Sequence, residues 1–486
     1  MPHQADEADG TVRNGLRLES DSLGQIGVPA DRYWGAETQR ALSHFAIGDD
    51  RVPGELIRAL AIIKKAAAIA NQRLGRLPEE KARPIIQAAE EAAEGKLEGH
   101  FPLSIWCSGS GTQINMNLNE VIANRAIEIT GGKKGTKKPI HPNDDVNLSQ
   151  STNDVFPSAM NMAVITALND RLLPAVGQLR DGIGEKAGAW ERLAKTGRTH
   201  LMDALPLTLG QEWSGYVGML DDGLARIRVV VPWLSELALG GTAVGTGLGA
   251  PERFAGLAIG FLADLTALPL VPAPNRFTVQ GAHDALVSAS AMLKTLAVSL
   301  YKIANDIRLL SSGPRCGLQE LILPANEPGS SMMPGKVNPT QCEVMAMVCA
   351  QVMGYDVAVA LAGAGGMLEM NVYKPLMVFN ILHSIRLLSD ACGTFLEFLV
   401  KGAKPNEKQI EGCLDHSLML VTALTPLLGH DRASRIARLA DHEGITLREA
   451  ALRLKAISPE DFDRLIDPRG MTGPAKSPQK SPKKDQ

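Results

Sequence analysis

Long apolar-periodic stretches constrain the fold of this chain more than any other feature: Val155 to Ala194, Leu207 to Leu239, His283 to Leu310, Thr340 to Leu361 and Pro375 to Val400. Several run to roughly 30 residues, or about 45 Å as helix at 1.5 Å per residue. Helices of that length bury their apolar stripes by lying alongside one another, so the pattern predicts an all-α chain with a long central bundle. Composition agrees, because aromatics are only 4% while alanine, leucine and glycine abound, a balance suited to closely packed helices rather than to a sheet.

The breaks between these stretches are Gly197-Arg198-Thr199-His200, Gly240-Gly241-Thr242-Ala243-Val244-Gly245-Thr246-Gly247, and a loop from Glu327 to Glu343. All three read as polar, glycine-bearing turns between helices. The last one, rich in glycine, proline and hydroxyls, has the composition of a loop that carries chemistry. Asn338 reads as its helix N-cap, Pro339 as the first helical residue and Gln341 as the partner reaching back. Ser330, Ser331, Lys336 and Asn338 then flank a positive helix end, with exposed backbone N–H groups and a full charge on Lys336, which suits a carboxylate or a phosphate.

Residues 1–150 mix loops with short helical patterns such as Leu56 to Leu74 and Glu79 to Leu97, and are expected to form a mixed, mainly helical domain. Residues 151–405 form the bundle, and 406–472 a small C-terminal domain with a helix from a Thr446 cap to Leu454. The Pro-, Ser- and Lys-rich residues 473–486 have no apolar anchor and are expected to be disordered. The net charge of -3 gives no electrostatic footprint for nucleic acid or an anionic membrane. No stretch of 18 uninterrupted apolar residues and no N-terminal targeting pattern is visible, so a cytoplasmic protein without a membrane span is expected. The cysteines at 107, 316, 342, 349, 392 and 413 are scattered, which fits reduced structural thiols and gives no support for a metal finger or an iron–sulfur cluster.

Shorter motifs carry further candidate chemistry. Gly109-Ser110-Gly111-Thr112 places small hydroxyls at a helix start. Gly245-Thr246-Gly247-Leu248-Gly249 lacks the preceding strand and following acid of a dinucleotide loop. His141-Pro142-Asn143-Asp144-Asp145-Val146-Asn147 and Ser149-Gln150-Ser151-Thr152-Asn153-Asp154 form a dense polar run, but with no second histidine and no helical i, i+4 pair it is not read as a metal site. His200, between a hydroxyl and a carboxylate in its loop, is the natural acid/base candidate.

The string Gly329-Ser330-Ser331-Met332-Met333-Pro334-Gly335-Lys336-Val337-Asn338-Pro339 closely resembles the Gly-Ser-Ser-x-Met-Pro-x-Lys-x-Asn-Pro motif of the fumarase/aspartase superfamily of lyases. With Trp34-Gly35-Ala36-Glu37-Thr38-Gln39-Arg40, the Gly109, His141, Gly197 and Gly240 motifs and Ser312-Gly313-Pro314-Arg315-Cys316-Gly317, it stands in the order found in class II fumarases, over about residues 20 to 470. Histidine at both 141 and 200 sides with fumarases; aspartases typically have Asn and Gln there. Met202, Met332 and the lysine-rich tail depart from the family pattern without removing a catalytic group.

This resemblance implies a cofactor-free, metal-free reversible hydration of fumarate to (S)-malate in a homotetramer whose sites are shared between subunits. It implies that Ser330 takes the carbon-3 proton, that His200 with Glu343 acts through water on the carbon-2 hydroxyl, and that Lys336 stabilises the aci-carboxylate. Substrate carboxylates would be held by Ser110, Gly111, Thr112, Ser151, Thr152, Asn153, Thr199, Ser331, Lys336, Val337 and Asn338. His141, Pro142, Asn143 and Asp144 resemble the family's secondary dicarboxylate site. The rivals are an ammonia or amine lyase of the same superfamily, aspartate ammonia-lyase first, and a non-catalytic helical scaffold.

Overall fold

The structure is a computed structural model that describes residues 15–474, so most of the tail expected to be disordered lies outside the described residues. The chain opens with a β-ribbon, β1 (Leu16–Asp21) and β2 (Gly24–Pro29), followed by α1 (Ala36–His44), α2 (Gly54–Arg73), α3 (Glu79–Ala93), α4 (Thr112–Ile129), α5 (Thr152–Ala167) and α6 (Leu173–Ala189). A second ribbon, β3 (Ala194–Thr199) and β4 (Met202–Thr208), leads into α7 (Leu209–Leu234). Then come α8 (Phe254–Thr266), α9 (Arg276–Gly281), α10 (Asp284–Leu310), α11 (Thr340–Ala364), α12 (Lys374–Phe395), α13 (Glu407–His416), α14 (Thr425–Leu428), α15 (His430–Glu443), α16 (Leu447–Arg453) and α17 (Pro459–Leu465). The chain divides into two compact units, one of residues 1–174, 223–297 and 348–389, the other of 175–222, 298–347 and 390–486.

The long helices follow their apolar stripes. Along α10 the buried residues include Leu286, Ala289, Leu293, Leu296, Leu300, Ile303 and Ile307, and along α7 Leu209, Trp213, Tyr216, Leu220, Leu224, Ile227, Val230 and Leu234. Steps of three and four keep each set on one face. The stretch from Val155 is helical through α5 and α6, with a wider turn at Leu168–Leu172 between them. Asp284–Leu310 and Thr340–Ala364 are long and apolar enough to cross a membrane by length and composition alone, although Lys294 and Ser299 interrupt one and Gln351 and Asp356 the other.

Within the first unit, the alternation of β1 is inverted, with Arg17 and Glu19 buried and Leu16 and Leu18 exposed. The buried pair closes at 2.6 Å, and Arg17 also donates to the Trp34 carbonyl at 2.6 Å. Glu120 on α4 then accepts from the N–H groups of Gly35, Glu37 and Thr38 at 2.8, 2.8 and 3.1 Å and from the Thr38 hydroxyl at 2.6 Å. A buried carboxylate therefore satisfies the free N–H groups at the start of α1. Any side chain at Gly35 would place a Cβ 2.6 Å from Glu19 and 2.7 Å from Glu120, so the Trp34 to Arg40 motif is architectural. Glu120→Ala is expected to destabilise the fold by about 3 kcal/mol, because several buried donors lose a charged acceptor together; a urea unfolding free energy lowered by less than about 1 kcal/mol would contradict this.

In the second unit the sequence expectation needs correction. The break Gly197-Arg198-Thr199-His200 is part of a β-hairpin rather than a turn between helices, with Thr199 paired to Met202 across it. Fully buried Lys195 in β3 is matched by Glu212 at 2.9 Å and Glu320 at 3.2 Å, and Glu320 also takes Arg198 at 2.7 Å. Periodicity cannot anticipate a strand whose inward residues are charged and neutralised from distant segments. Leu420, Leu424, Ile436, Ala440, Ala450 and Phe462 form a separate small core, and Thr446 caps α16 as the sequence predicts, with Glu449 reaching back.

Candidate active site

In the first unit, the starts of α4 and α5 come together. Gly111 precedes α4 with φ +83°, and the Ser110 hydroxyl lies 2.8 Å from both Ser108 and Thr112. Ser151 caps α5 by accepting from Asn153 N at 3.2 Å, and Asp154 returns to Ser151 N at 2.9 Å. Asn115, one turn into α4, donates to the Thr152 hydroxyl at 3.0 Å and so ties the two helix starts. Thr152 is buried against that amide. Asn153 extends to the Ala243 carbonyl at 2.7 Å, joining the 240–247 glycine turn. Two helix N-termini, several small hydroxyls and an amide converge here, a set of donors suited to a carboxylate.

The His141 motif makes a separate cluster. His141 Nδ1 accepts from the N–H groups of Asn143 and Asp144 at 3.2 Å each, and Pro142 starts the short turn that follows. Asp145 accepts from His141 N at 2.8 Å and pairs with Lys81 at 2.9 Å. The half-buried Asp145 thereby fixes the turn, while Asn143 and Asp144 stay exposed.

In the second unit, His200 and Leu201 form the two-residue tip of the β3–β4 hairpin, both with positive φ, +57° and +63°. That geometry holds Thr199 and His200 out in solvent at the end of a ribbon anchored by the Lys195, Glu212, Glu320 and Arg198 charges.

The loop from 327 closes on itself. Gly329 N donates to the Lys336 carbonyl at 2.8 Å, and the Asn338 amide donates to the Gly329 carbonyl at 2.6 Å. Asn338 is therefore not the cap predicted from sequence: α11 starts at Thr340, the Pro339 carbonyl accepts its first helical bond from Glu343 N at 3.2 Å, and the Thr340 hydroxyl bonds to Glu327. Ser330 Oγ accepts from the backbone N–H groups of Met332 at 3.2 Å and Met333 at 2.9 Å. Two N–H donors on one hydroxyl oxygen favour its ionised form, as does positive charge nearby. Lys336 and Val337 are exposed around a cavity of about 430 Å³ that Gly329 and Ser330 also line, and Ser331 is exposed beside them in the chain. Glu343, in the first turn of α11, lies 3.5 Å from Arg308.

Among the described residues, no hydrogen bond or ion pair joins His200 to Glu343 or to the 327–338 loop. Sequence reading missed the Met332 and Met333 N–H groups, although the Ser-x-x turn is the signal that finds them. It also missed Asn115, whose role depends on a partner on another helix.

Residues 24–354 match a family model described as Lyase, and residues 420–473 one described as Fumarase C C-terminus. A class II fumarate hydratase of Thermosynechococcus vestitus is 57% identical over 450 residues, covering 93% of this chain and 96% of that protein. One from Methanosarcina acetivorans is 54% identical over 473 residues, covering 97% and 98%. Among solved structures, the class II fumarase of Schistosoma mansoni superposes with a TM-score of 0.92 at 42% identity, covering 94% of this chain and 99% of that one. With this identity sustained over nearly its whole length, the chain belongs to the class II fumarate hydratases, hydro-lyases of the fumarase/aspartase superfamily.

Proposed function

We propose that this chain interconverts fumarate and (S)-malate as a cytoplasmic enzyme of the tricarboxylic acid cycle, with Ser330 as the base. The observation that carries the assignment of Ser330 is its oxygen, half-buried and held by the N–H groups of Met332 and Met333. In the dehydration direction, the Ser330 oxygen takes the carbon-3 proton and the adjacent carboxylate becomes the aci form. Lys336, Asn338, Thr112 and backbone N–H groups stabilise that charge; such a donor is worth about 2.7–4 kcal/mol of barrier. The carbon-2–oxygen bond then breaks, and the hydroxyl leaves as water with a proton delivered through a water held by His200, assisted by Glu343. Ser110, Gly111, Thr112, Ser151, Thr152, Asn153, Thr199, Ser331, Val337 and Asn338 bind the substrate carboxylates. His141, Pro142, Asn143 and Asp144 form a second dicarboxylate site. The three-domain division at about residues 150 and 405 belongs to the same reading, as does assembly into a homotetramer in which three subunits build each site.

Incubating the purified protein with fumarate, malate and aspartate in turn, and following the ultraviolet absorbance of the double bond, tests the substrate assignment. Malate is expected to be dehydrated and aspartate left alone. Comparable progress on aspartate would favour an ammonia-lyase, and no progress on any of the three a non-catalytic scaffold.

Activity is also expected to survive a chelator and air, since no group of three His, Cys, Asp or Glu side chains among the described residues is placed to hold a metal ion. Loss on chelation, restored by iron and sulfide, would contradict this.

A further inference from the structure

We infer that Lys64 and Asp154 are positioning residues that set the geometry of the Ser151–Asn153 carboxylate cradle without touching substrate. The inference rests on the proposed role of that cradle. Lys64, on α2, is 0% exposed, and its ammonium donates to the side-chain oxygens of Asn147 at 2.8 Å and Gln150 at 3.0 Å. Two turns along the same face of α2, Asn71 accepts from the Ser149 hydroxyl at 2.8 Å and donates to the Leu148 carbonyl at 2.9 Å. One helix face thus grips residues 147–150, where Ser149 is held at φ +64°, immediately before the cradle begins.

Asp154 is 0% exposed and secures the other side. One of its oxygens takes Ser151 N at 2.9 Å, and the other takes Gly240 N and Thr242 N, also at 2.9 Å each. Asn147 is the hub between Lys64 and α4: its side-chain oxygen receives Lys64, Asn115 at 3.3 Å and Asn119 at 3.2 Å, and the Asn115 amide continues to Thr152. The network therefore fixes the start of α5 against α2, the start of α4 and the 240–242 turn. Burial lowers the Lys64 pKa, and Asp154 opposes that shift; burial raises Asp154, against its N–H donors and Lys64.

A buried charge pair is a poor source of stability, because an apolar replacement of similar volume often does as well or better. Met or Leu at position 64 would suit a helix packed on all sides. What opposite charges and the shared acceptor oxygens of Asn147 and Asp154 supply instead is a fixed arrangement of the groups around them.

The test is steady-state kinetics of fumarate hydration with the full-length variants Lys64→Met and Asp154→Asn, together with Gln150→Ala and, as a control on the cradle, Asn153→Ala. The control is expected to raise KM. Lys64→Met and Asp154→Asn are expected to raise KM about tenfold while kcat stays within about threefold, the signature of lost binding common to ground and transition states. An unchanged KM in the folded variants, or a fall in kcat alone, overturns the inference. If neither variant folds, Gln150→Ala decides: a KM raised about threefold supports the inference and an unchanged one overturns it. An unchanged KM in Asn153→Ala overturns the cradle reading and the inference with it, whereas a raised KM there beside an unchanged one in Lys64→Met overturns the inference alone.

Discussion

Alanine at position 330 is expected to lower kcat for malate dehydration by about 10³-fold or more, the upper part of the roughly 10²–10⁴-fold range of general-base catalysis. Thermal unfolding should move by no more than about 2 °C, because the hydroxyl sits half-exposed on a loop where water replaces it for the Met332 and Met333 N–H groups. Ser331→Ala should cost far less, since Ser331 is exposed and its neighbour alone holds the two N–H contacts. A Ser330→Ala enzyme with near-normal turnover would remove the base from this mechanism.

The second large effect is expected on mixing two inactive proteins. Ser330→Ala and His200→Asn chains, dissociated together and reassembled in equal amounts, should recover activity in roughly one quarter of sites, from two independent choices of one half. Two features motivate the experiment. Among the described residues, His200 and the 327–338 loop share no hydrogen bond or ion pair within the chain, and the apolar window of α11 is only 28% buried, with Met347 at 65%, Val357 at 59% and Leu361 at 71% exposure. A monomer is accordingly expected to be inactive. Failure to recover activity after verified co-assembly would place Ser330 and His200 in one chain's site.

The helices were legible in the sequence because each carries its own stripe: α7 and α10 could be read from the spacing of Leu, Ile and Ala alone. The capping of α16 by Thr446 rests on contacts between near neighbours, which sequence also shows. What escaped was whatever depends on distant partners. Lys195 makes β3 improbable until Glu212 and Glu320 are beside it, and Arg17 and Glu19 reverse the expected alternation of β1. Asn338 has the right chemistry and spacing for a cap, yet its amide closes the loop onto Gly329. The glycine-rich loop itself was visible through composition, whereas the two N–H groups on Ser330 are a property of how it folds.

On the proposed role of His200, the tip of the β3–β4 hairpin sets melting temperature against activity. A two-residue turn with positive φ at both positions is most comfortable with Asn-Gly, whereas here His200 and Leu201 occupy it, at a cost of order 1–3 kcal/mol each. Substituting the preferred pair would relax the backbone and delete the imidazole in one step. A selection for thermal tolerance alone would therefore drift toward a firmer hairpin with nothing at its end to handle the proton, so residues 200 and 201 are best held fixed in any such campaign.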